Sequence, residues 1–150
     1  MAKKLVYLAG GIGGMSYKEA NSWREQAIYL LGRAEIECLS PMRGKEHLAG
    51  LDEIPSLRGQ DRVAWIEPAN YIIHRGLSDL KRCDAVLAEL TLPDNPYRGT
   101  ICELVYARLW HKPVVVWSSW AQDSPWIAYH ASAVLPTLEE CCQAIIDLIA

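Results

Sequence analysis

The chain has 150 residues, 51% of them hydrophobic and 22% charged, which predicts one ordinary globular domain over residues 1–150. A net charge of −3 without a dense Lys/Arg run argues against a polynucleotide partner. No stretch approaches the roughly 20 apolar residues that span a bilayer, so no membrane segment is expected. Five cysteines, an odd number without C-x-x-C spacing, favour the reducing cytoplasm over a disulfide framework or a zinc ribbon.

The first third of the chain has the pattern of a strand, a glycine loop and a helix. An apolar run at residues 4–9 predicts a buried strand, and four glycines at positions 10, 11, 13 and 14 end it. Ser16 can cap a helix that runs to about residue 33. A short second strand is predicted at residues 36–39. Residues 42–55 lack a clear period, and we interpret them as a functional or mobile loop.

The remainder alternates between helices and strands. Residues 62–83 are predicted to be mainly helical, with Pro68 starting, kinking or interrupting the run. Strands are predicted at 84–90, 113–117 and 131–135, and helices at about 100–110 and from about 137 onwards. This alternation predicts a single-domain α/β fold with a doubly wound parallel sheet of about five strands. Ligands of such sheets bind beyond the carboxyl ends of the strands.

The glycine loop after the first strand is a candidate binding element. Its backbone N–H groups and the start of the next helix can approach an anion or a sugar closely. Neither common phosphate motif is present, because the third glycine of G-x-G-x-x-G would fall at Ser16 and no G-K-[ST] follows. A turn that merely packs strand against helix explains these glycines equally well, so the loop does not identify a ligand.

The sequence GTICE at residues 99–103 follows the third predicted strand. As a capping box, Thr100 would accept from the N–H of residue 103 while Glu103 reaches back to the cap, and this is the commoner meaning of the pattern. A carboxylate in the first turn also feels the positive end of the helix dipole, which favours its ionised form. Glycosidic chemistry uses such a carboxylate to trap the anomeric carbon of a sugar. Glu103 is therefore a candidate nucleophile.

Several segments together resemble a known family. They are VYLAG at 6–10, LSPMRGK at 39–45, CDAVLA at 83–88, GTICELVYA at 99–107 and KPVVV at 112–116. In order and spacing they resemble the nucleoside 2-deoxyribosyltransferase-like family, especially its small phage and bacterial members, and the related deoxynucleoside 5′-monophosphate N-glycosidases. The resemblance implies a flavodoxin- or Rossmann-like fold and a homodimer or higher homo-oligomer. It also implies transfer of a deoxyribosyl group between bases, or hydrolysis of the N-glycosidic bond, in a small-molecule nucleoside or nucleotide.

The resemblance also implies roles for individual residues. Glu103 matches the nucleophilic glutamate of the family, and Tyr7 matches the tyrosine that orients it. Taken without the resemblance, Tyr7 could equally be a core aromatic residue. Substrate binding near the sugar or a 5′-phosphate is assigned to two glycine-containing turns, through Gly10, Gly11, Gly13, Gly99 and Thr100.

The chain departs from the family pattern at two places. The family carries an Arg-Asp pair whose aspartate assists the leaving base, whereas this chain has Arg75-Gly76. Asp79, one helical turn further on, is the candidate replacement, and a solvated helix residue is its alternative interpretation. The glycine loop lacks the serine and arginine of nucleotide-hydrolysing relatives. Arg43 or Lys45 would then supply charge for a phosphate, unless both lie in a solvated loop.

Other reactive residues give weaker signals. The four histidines lack the spacing of metal sites, so no metal and no cofactor are expected. Cys102 precedes Glu103 at a helix start, yet a small packed thiol is the better interpretation. Three tryptophans near the end of the fourth strand could stack on a base, although core or interface packing is favoured, at Trp117, Trp120 and Trp126.

These observations predict an enzyme that cleaves or transfers at the N-glycosidic bond of a nucleoside or nucleotide through Glu103. Two alternatives follow from Gly76. In one, the chain is a catalytically impaired binding protein for a nucleotide derivative. In the other, Gly76 enlarges the pocket for an unusual substrate, and water or Asp79 takes the place of the missing acid.

Overall fold

A computed structural model of the chain describes residues 2–55 and 69–150. Within these ranges the secondary structure alternates between strands and helices. The elements are β1 (Leu5–Ala9), α1 (Tyr17–Gly32), β2 (Glu37–Leu39), α2 (Ala69–Arg82), β3 (Ala85–Glu89), α3 (Arg98–Leu109), β4 (Val114–Trp117), α4 (Pro125–His130), β5 (Ala133–Leu135) and α5 (Leu138–Ile149). Two short 3-10 turns, Glu46–Leu48 and Ala121–Asp123, lie in the connections.

The five strands form one parallel sheet in the order β2-β1-β3-β4-β5. This is the flavodoxin-like order, and it confirms the predicted fold class. The chain leaves β1 towards one edge of the sheet and leaves β3 towards the other. The carboxyl ends of these two neighbouring strands therefore border the topological switch point, where such sheets bind their ligands.

Side chains of β1 alternate between two hydrophobic cores, one on each face of the sheet. Val6 and Leu8 pack with α1 and α5, while Tyr7 and Ala9 pack with α2, α3 and α4. The three central strands, β1, β3 and β4, are buried on both faces, as the lack of alternation in the fourth strand predicts. Because of this alternation, Tyr7 lies on the face of the sheet that α3 covers.

The observed starts of two helices, α1 and α5, agree with those predicted from the sequence, and the start of α3 differs. The Ser16 hydroxyl accepts from the backbone N–H of Glu19 at 3.0 Å, which confirms the predicted cap of α1. Thr137 caps α5 in the same way. The capping box predicted at Thr100 is wrong, because α3 begins at Arg98 and Thr100 is buried inside the helix. Glu103 consequently lies in the second turn of α3, away from the strongest part of the helix dipole.

Two further differences concern short or irregular segments. The helix α4, which has a proline in its first turn, is not indicated by the sequence pattern. The predicted helical stretch at 62–83 is observed from residue 69 to residue 82, and its first part, including Pro68, lies outside the described residues.

The loop at 42–55 packs against the glycine loop. Ile54 accepts from the N–H of Gly14 at 2.7 Å and donates its own N–H to Met15 at 2.6 Å. Leu48 and Ile54 are buried in a small apolar cluster with residues from the start of α1. These contacts hold residues 42–55 beside the switch point.

Candidate active site

A cavity of about 670 Å³ opens at the carboxyl ends of β1 and β3. The glycine loop, α2 and the start of α3 form its walls. Eight of the nine candidate site residues line it: Tyr7, Gly10, Gly11, Gly13, Asp79, Gly99, Thr100 and Glu103. Its volume is within the range of small-molecule sites, and its position agrees with the rule for doubly wound sheets.

Glu103 projects from the second turn of α3 into this cavity. Burial raises the pKa of its carboxyl group to about 7, while a hydrogen bond from Tyr7 and the charge of Arg24 act in the opposite direction. The sequence pattern suggests that the helix dipole favours the ionised form. The removal of the carboxyl group from water instead raises its pKa by more than Tyr7 and Arg24 lower it, so Glu103 titrates near neutral pH.

Tyr7 lies beneath Glu103 at the centre of β1, and its side chain is only 2% exposed. Burial raises the pKa of its hydroxyl well above the ordinary value, and the negative charge of Glu103 raises it further. The phenol therefore stays protonated at neutral pH, and its O–H group can donate a hydrogen bond to the Glu103 carboxylate. This contact gives Tyr7 the geometry of an orienting residue.

Gly76 lines the cavity in the middle of α2. A Cβ atom at this position would lie 3.3 Å from the Tyr7 hydroxyl oxygen. Residue 76 therefore faces the Tyr7 hydroxyl inside the cavity. In this chain that position contributes backbone alone.

Asp79 is held in ion pairs on the same helix. Its Oδ2 atom accepts from Arg43 Nη2 at 2.7 Å, and its Oδ1 atom accepts from Arg82 Nη2 at 2.9 Å. The residue is 5% exposed, so the interpretation as a solvated helix residue is wrong. Both oxygens accept hydrogen bonds from guanidinium groups, and the bond from Arg43 ties α2 to the 40–45 segment.

Arg43 is the one candidate residue that does not line the cavity. Its guanidinium group binds Asp79 and donates to the Ser40 carbonyl at 2.8 Å, and these bonds explain its position. Lys45 does line the cavity, where its ammonium group donates to the Pro41 carbonyl at 2.5 Å. Lys45 is buried, and the partly exposed Arg43 side chain is held by Asp79 and Ser40, so the interpretation of these residues as a solvated loop is corrected.

Sequence reasoning missed part of the cavity wall that precedes α3. Tyr97 adopts a left-handed backbone conformation with φ of 47°, and the Asn95 side chain accepts from its N–H at 3.0 Å. The Tyr97 hydroxyl donates to the buried carboxylate of Glu89, and Arg98 follows at the first position of α3. The turn-forming residues before Tyr97 indicated a loop, but no local signal showed that its side chains would line the site.

Cys102 also lines the cavity and is exposed, so its interpretation as a packed thiol is wrong. All five cysteines are free thiols. In residues 2–55 and 69–150, no group of three or more His, Cys, Asp and Glu side chains could hold a metal ion. None of the helices in these ranges is both long and apolar enough to cross a bilayer.

Solved structures with the same fold include enzymes of nucleoside chemistry. A 2-deoxyribosyltransferase from Bacillus psychrosaccharolyticus aligns with a TM-score of 0.66 at 18% identity, covering 95% of each chain. The CMP N-glycosidase BcmB from Clostridium botulinum aligns at 0.56 and 16%, covering 98% of this chain and 100% of that chain. A molybdenum cofactor binding protein from Rippkaea orientalis aligns at 0.62 and 16%, covering 100% and 99%.

A comparison with curated proteins found no match. The family model described as nucleoside 2-deoxyribosyltransferase matches residues 6–138, which include β1, the glycine loop, α2 and α3. This match covers most of the chain and every element that lines the cavity. The chain belongs to the nucleoside 2-deoxyribosyltransferase family.

Proposed function

We propose that this protein cleaves or transfers at the N-glycosidic bond of a nucleoside or nucleotide, with Glu103 as the nucleophile. One observation carries the proposal: Glu103 and Tyr7 meet in a cavity at the switch point of the sheet. The carboxyl group is ionised in a large fraction of molecules at neutral pH, because its pKa is about 7. Family membership supports the same class of chemistry.

The reaction proceeds in two displacements at the anomeric carbon. A Glu103 oxygen forms a bond to C1′ while the bond between C1′ and the base nitrogen breaks, and the base leaves with that electron pair. Water supplies the proton to the base, because Gly76 carries no acidic group and Asp79 is bound by two arginines. A second base or a water molecule then attacks C1′, releases Glu103 and gives net retention of configuration.

Substitution of the nucleophile tests this assignment directly. The E103Q variant preserves size while removing the attacking oxygen anion, so we expect turnover of deoxynucleosides and deoxynucleotides to fall by about 10³-fold or more. Mass spectrometry of free base measures the rate. The matched control is E37Q, at an exposed glutamate on the edge strand β2, and it should retain the parent rate. Equal turnover by E103Q and the parent would refute the role of Glu103.

The pH dependence of the rate tests the ionisation state of the same group. Because the attacking form is the carboxylate, kcat/KM should rise about tenfold per pH unit below pH 7 and level off above it.

The contribution of Glu103 to the free energy of unfolding should change in the opposite sense, decreasing as the pH rises. The raised pKa means that the folded state holds this proton more tightly than the unfolded chain, so this contribution is complete below pH 4.5 and lost as pH rises through about 7. Thermal unfolding of the parent and E103Q across this range measures the difference, and parallel curves would contradict the assigned pKa.

A second candidate function is nucleotide-derivative binding without catalysis, and Gly76 is the observation that favours it. A molybdenum cofactor binding protein shares the fold, so the architecture also occurs in a protein named for binding. This function predicts that a nucleotide raises the unfolding temperature of the parent while no free base is released. Robust turnover by the unmodified protein would reject it.

The G76D variant tests what the missing acid would contribute to the proposed reaction. If the parent is an enzyme that protonates the leaving base through water, an aspartic acid here should raise kcat on the order of 10²-fold. The new Cβ would lie 3.3 Å from the Tyr7 hydroxyl, which must move by a few tenths of an ångström. The G76N variant is the matched control, since it has the same shape without an acidic proton. Equal rates for both variants would show that the acid is not what limits the reaction.

We also propose that the protein is a homo-oligomer. Four apolar side chains on the neighbouring helices α3 and α4 are exposed, namely Val105, Leu109, Trp126 and Tyr129. Leu109 is 66% exposed and Trp126 is 76% exposed, which is costly for a free surface and fits burial against a second copy.

Light scattering on purified protein measures the assembly. We expect the parent to have at least twice the mass of the 16.8 kDa chain at micromolar concentration. The L109K/W126K double variant should shift towards the monomer, because it places two charges in the proposed interface. The control L148K changes a leucine of similar exposure on α5 and should keep the parent mass. A monomeric parent would contradict the proposal.

A further inference from the structure

Arg24 projects from α1 into the interior and is completely buried, with 0% exposure. Three backbone carbonyls accept from its guanidinium group. Nε donates to Leu8 at 3.3 Å, and Nη1 donates to Ala20 and, at 3.5 Å, to Gly11. The side chain therefore links the end of β1, the first turn of α1 and the glycine loop.

Within residues 2–55 and 69–150, the positive charge of Arg24 has no direct counter-ion. No carboxylate in the described part of the chain forms a salt bridge with it, and its Nη2 atom is buried without a hydrogen-bond partner. The adjacent ring of Trp23 lies 4.7 Å from the guanidinium carbon and compensates part of the charge. Removing a cation from water in this way costs folding free energy, and the electric field of the cation acts on the other ionisable groups around it.

The free edge of the guanidinium group lies directly under the glycine loop. A Cβ atom at Gly10 would lie 3.2 Å from Arg24 Nη2 and 2.9 Å from the Trp23 ring, so the loop can rest this close only because residue 10 is glycine. Gly11 is held from two sides, since its carbonyl accepts from Arg24 and its N–H donates to Glu89 at 3.4 Å. Arg24 thus lies behind the cavity wall, across the sheet from α3.

We propose that Arg24 is a positioning residue for the reaction, which holds the glycine loop and places a buried positive charge behind the wall of the cavity into which Glu103 projects. It touches neither the sugar nor the base and acts through Gly11 and Glu103. This inference rests on the proposed function of Glu103. No feature of the helical pattern in the sequence indicates it, because a charged residue in α1 would ordinarily face solvent.

The surrounding charges set the direction of this effect. A hydrogen bond from Tyr7 on β1 and the charge of Arg24 on α1 both lower the pKa of Glu103, against the larger effect of burial. Arg24 in turn interacts electrostatically with Tyr7, Glu103 and the β3 residue Glu89, while the charge of Asp79 on α2 acts on Tyr7. Burial lowers the pKa of Arg24 to about 10, so it remains protonated at neutral pH. Removing its charge leaves Glu103 protonated over a wider pH range.

Three variants separate charge from packing. R24M fills a similar volume without charge, R24Q is neutral but can still donate to the carbonyls, and R24K keeps a positive charge. The titration of Glu103 is followed by NMR in protein labelled with ¹³C at the glutamate carboxyl carbons, and E103Q identifies its signal. This measurement does not require turnover, so it distinguishes failure of this inference from failure of the proposed function.

We expect the Glu103 midpoint, near pH 7 in the parent, to move upwards in R24M and R24Q and to stay close to the parent value in R24K. The acid limb of kcat/KM should move with it. At a pH well below the midpoint, the rate should fall about tenfold for a midpoint that lies one pH unit higher. If R24M does not fold, R24Q decides the outcome. An unchanged midpoint in a folded neutral variant, or a rate that falls equally at every pH, would overturn the inference.

Discussion

The parallel pairing of β1 with β3 is the constraint on which the site depends. These strands lie side by side although two helices, α1 and α2, and the strand β2 separate them in the chain, so their carboxyl ends meet where the connections diverge. The glycine loop follows one strand and the turn before α3 follows the other. Tyr7 faces α3 because of its place in the alternation of β1. A shift of one residue in this register would turn Tyr7 to the opposite core and separate it from Glu103.

Two carboxylates line the same cavity in contrasting environments. Glu103 is desolvated and has a phenol and a distant buried cation to stabilise its charge, which leaves its pKa near neutrality. Asp79 has a guanidinium group on each oxygen. The first arrangement suits a group that must form and release a bond, and the second suits a fixed connection between α2 and its neighbouring loop. Environment, rather than residue type, divides the roles of the two acids.

The features that were predictable from the sequence are those encoded by local patterns. Apolar runs located the strands, Ser16 located the start of α1, and the order of elements gave the parallel sheet. The start of α3 was misplaced because a left-handed tyrosine is an uncommon way to begin a helix, and Thr100 offered a more ordinary cap. Of the two partners of Asp79, Arg43 lies 36 residues away, and such a pair depends on tertiary packing.

Tyr97 shows how the backbone before α3 is adapted to its side chain. A left-handed conformation costs a residue with a Cβ atom about 1–2 kcal/mol, and glycine would remove that cost. Glycine would also remove the ring that lines the cavity and the hydroxyl that reaches Glu89. The ring is buried in the core and the hydroxyl is hydrogen-bonded, so their loss would cost about 3–5 kcal/mol, more than the strain that glycine relieves. The contacts that force this residue into a left-handed conformation are therefore the same ones that shape the wall of the cavity. A search for stabilised variants should leave residue 97 unchanged, since stability and the shape of the site favour the same residue there.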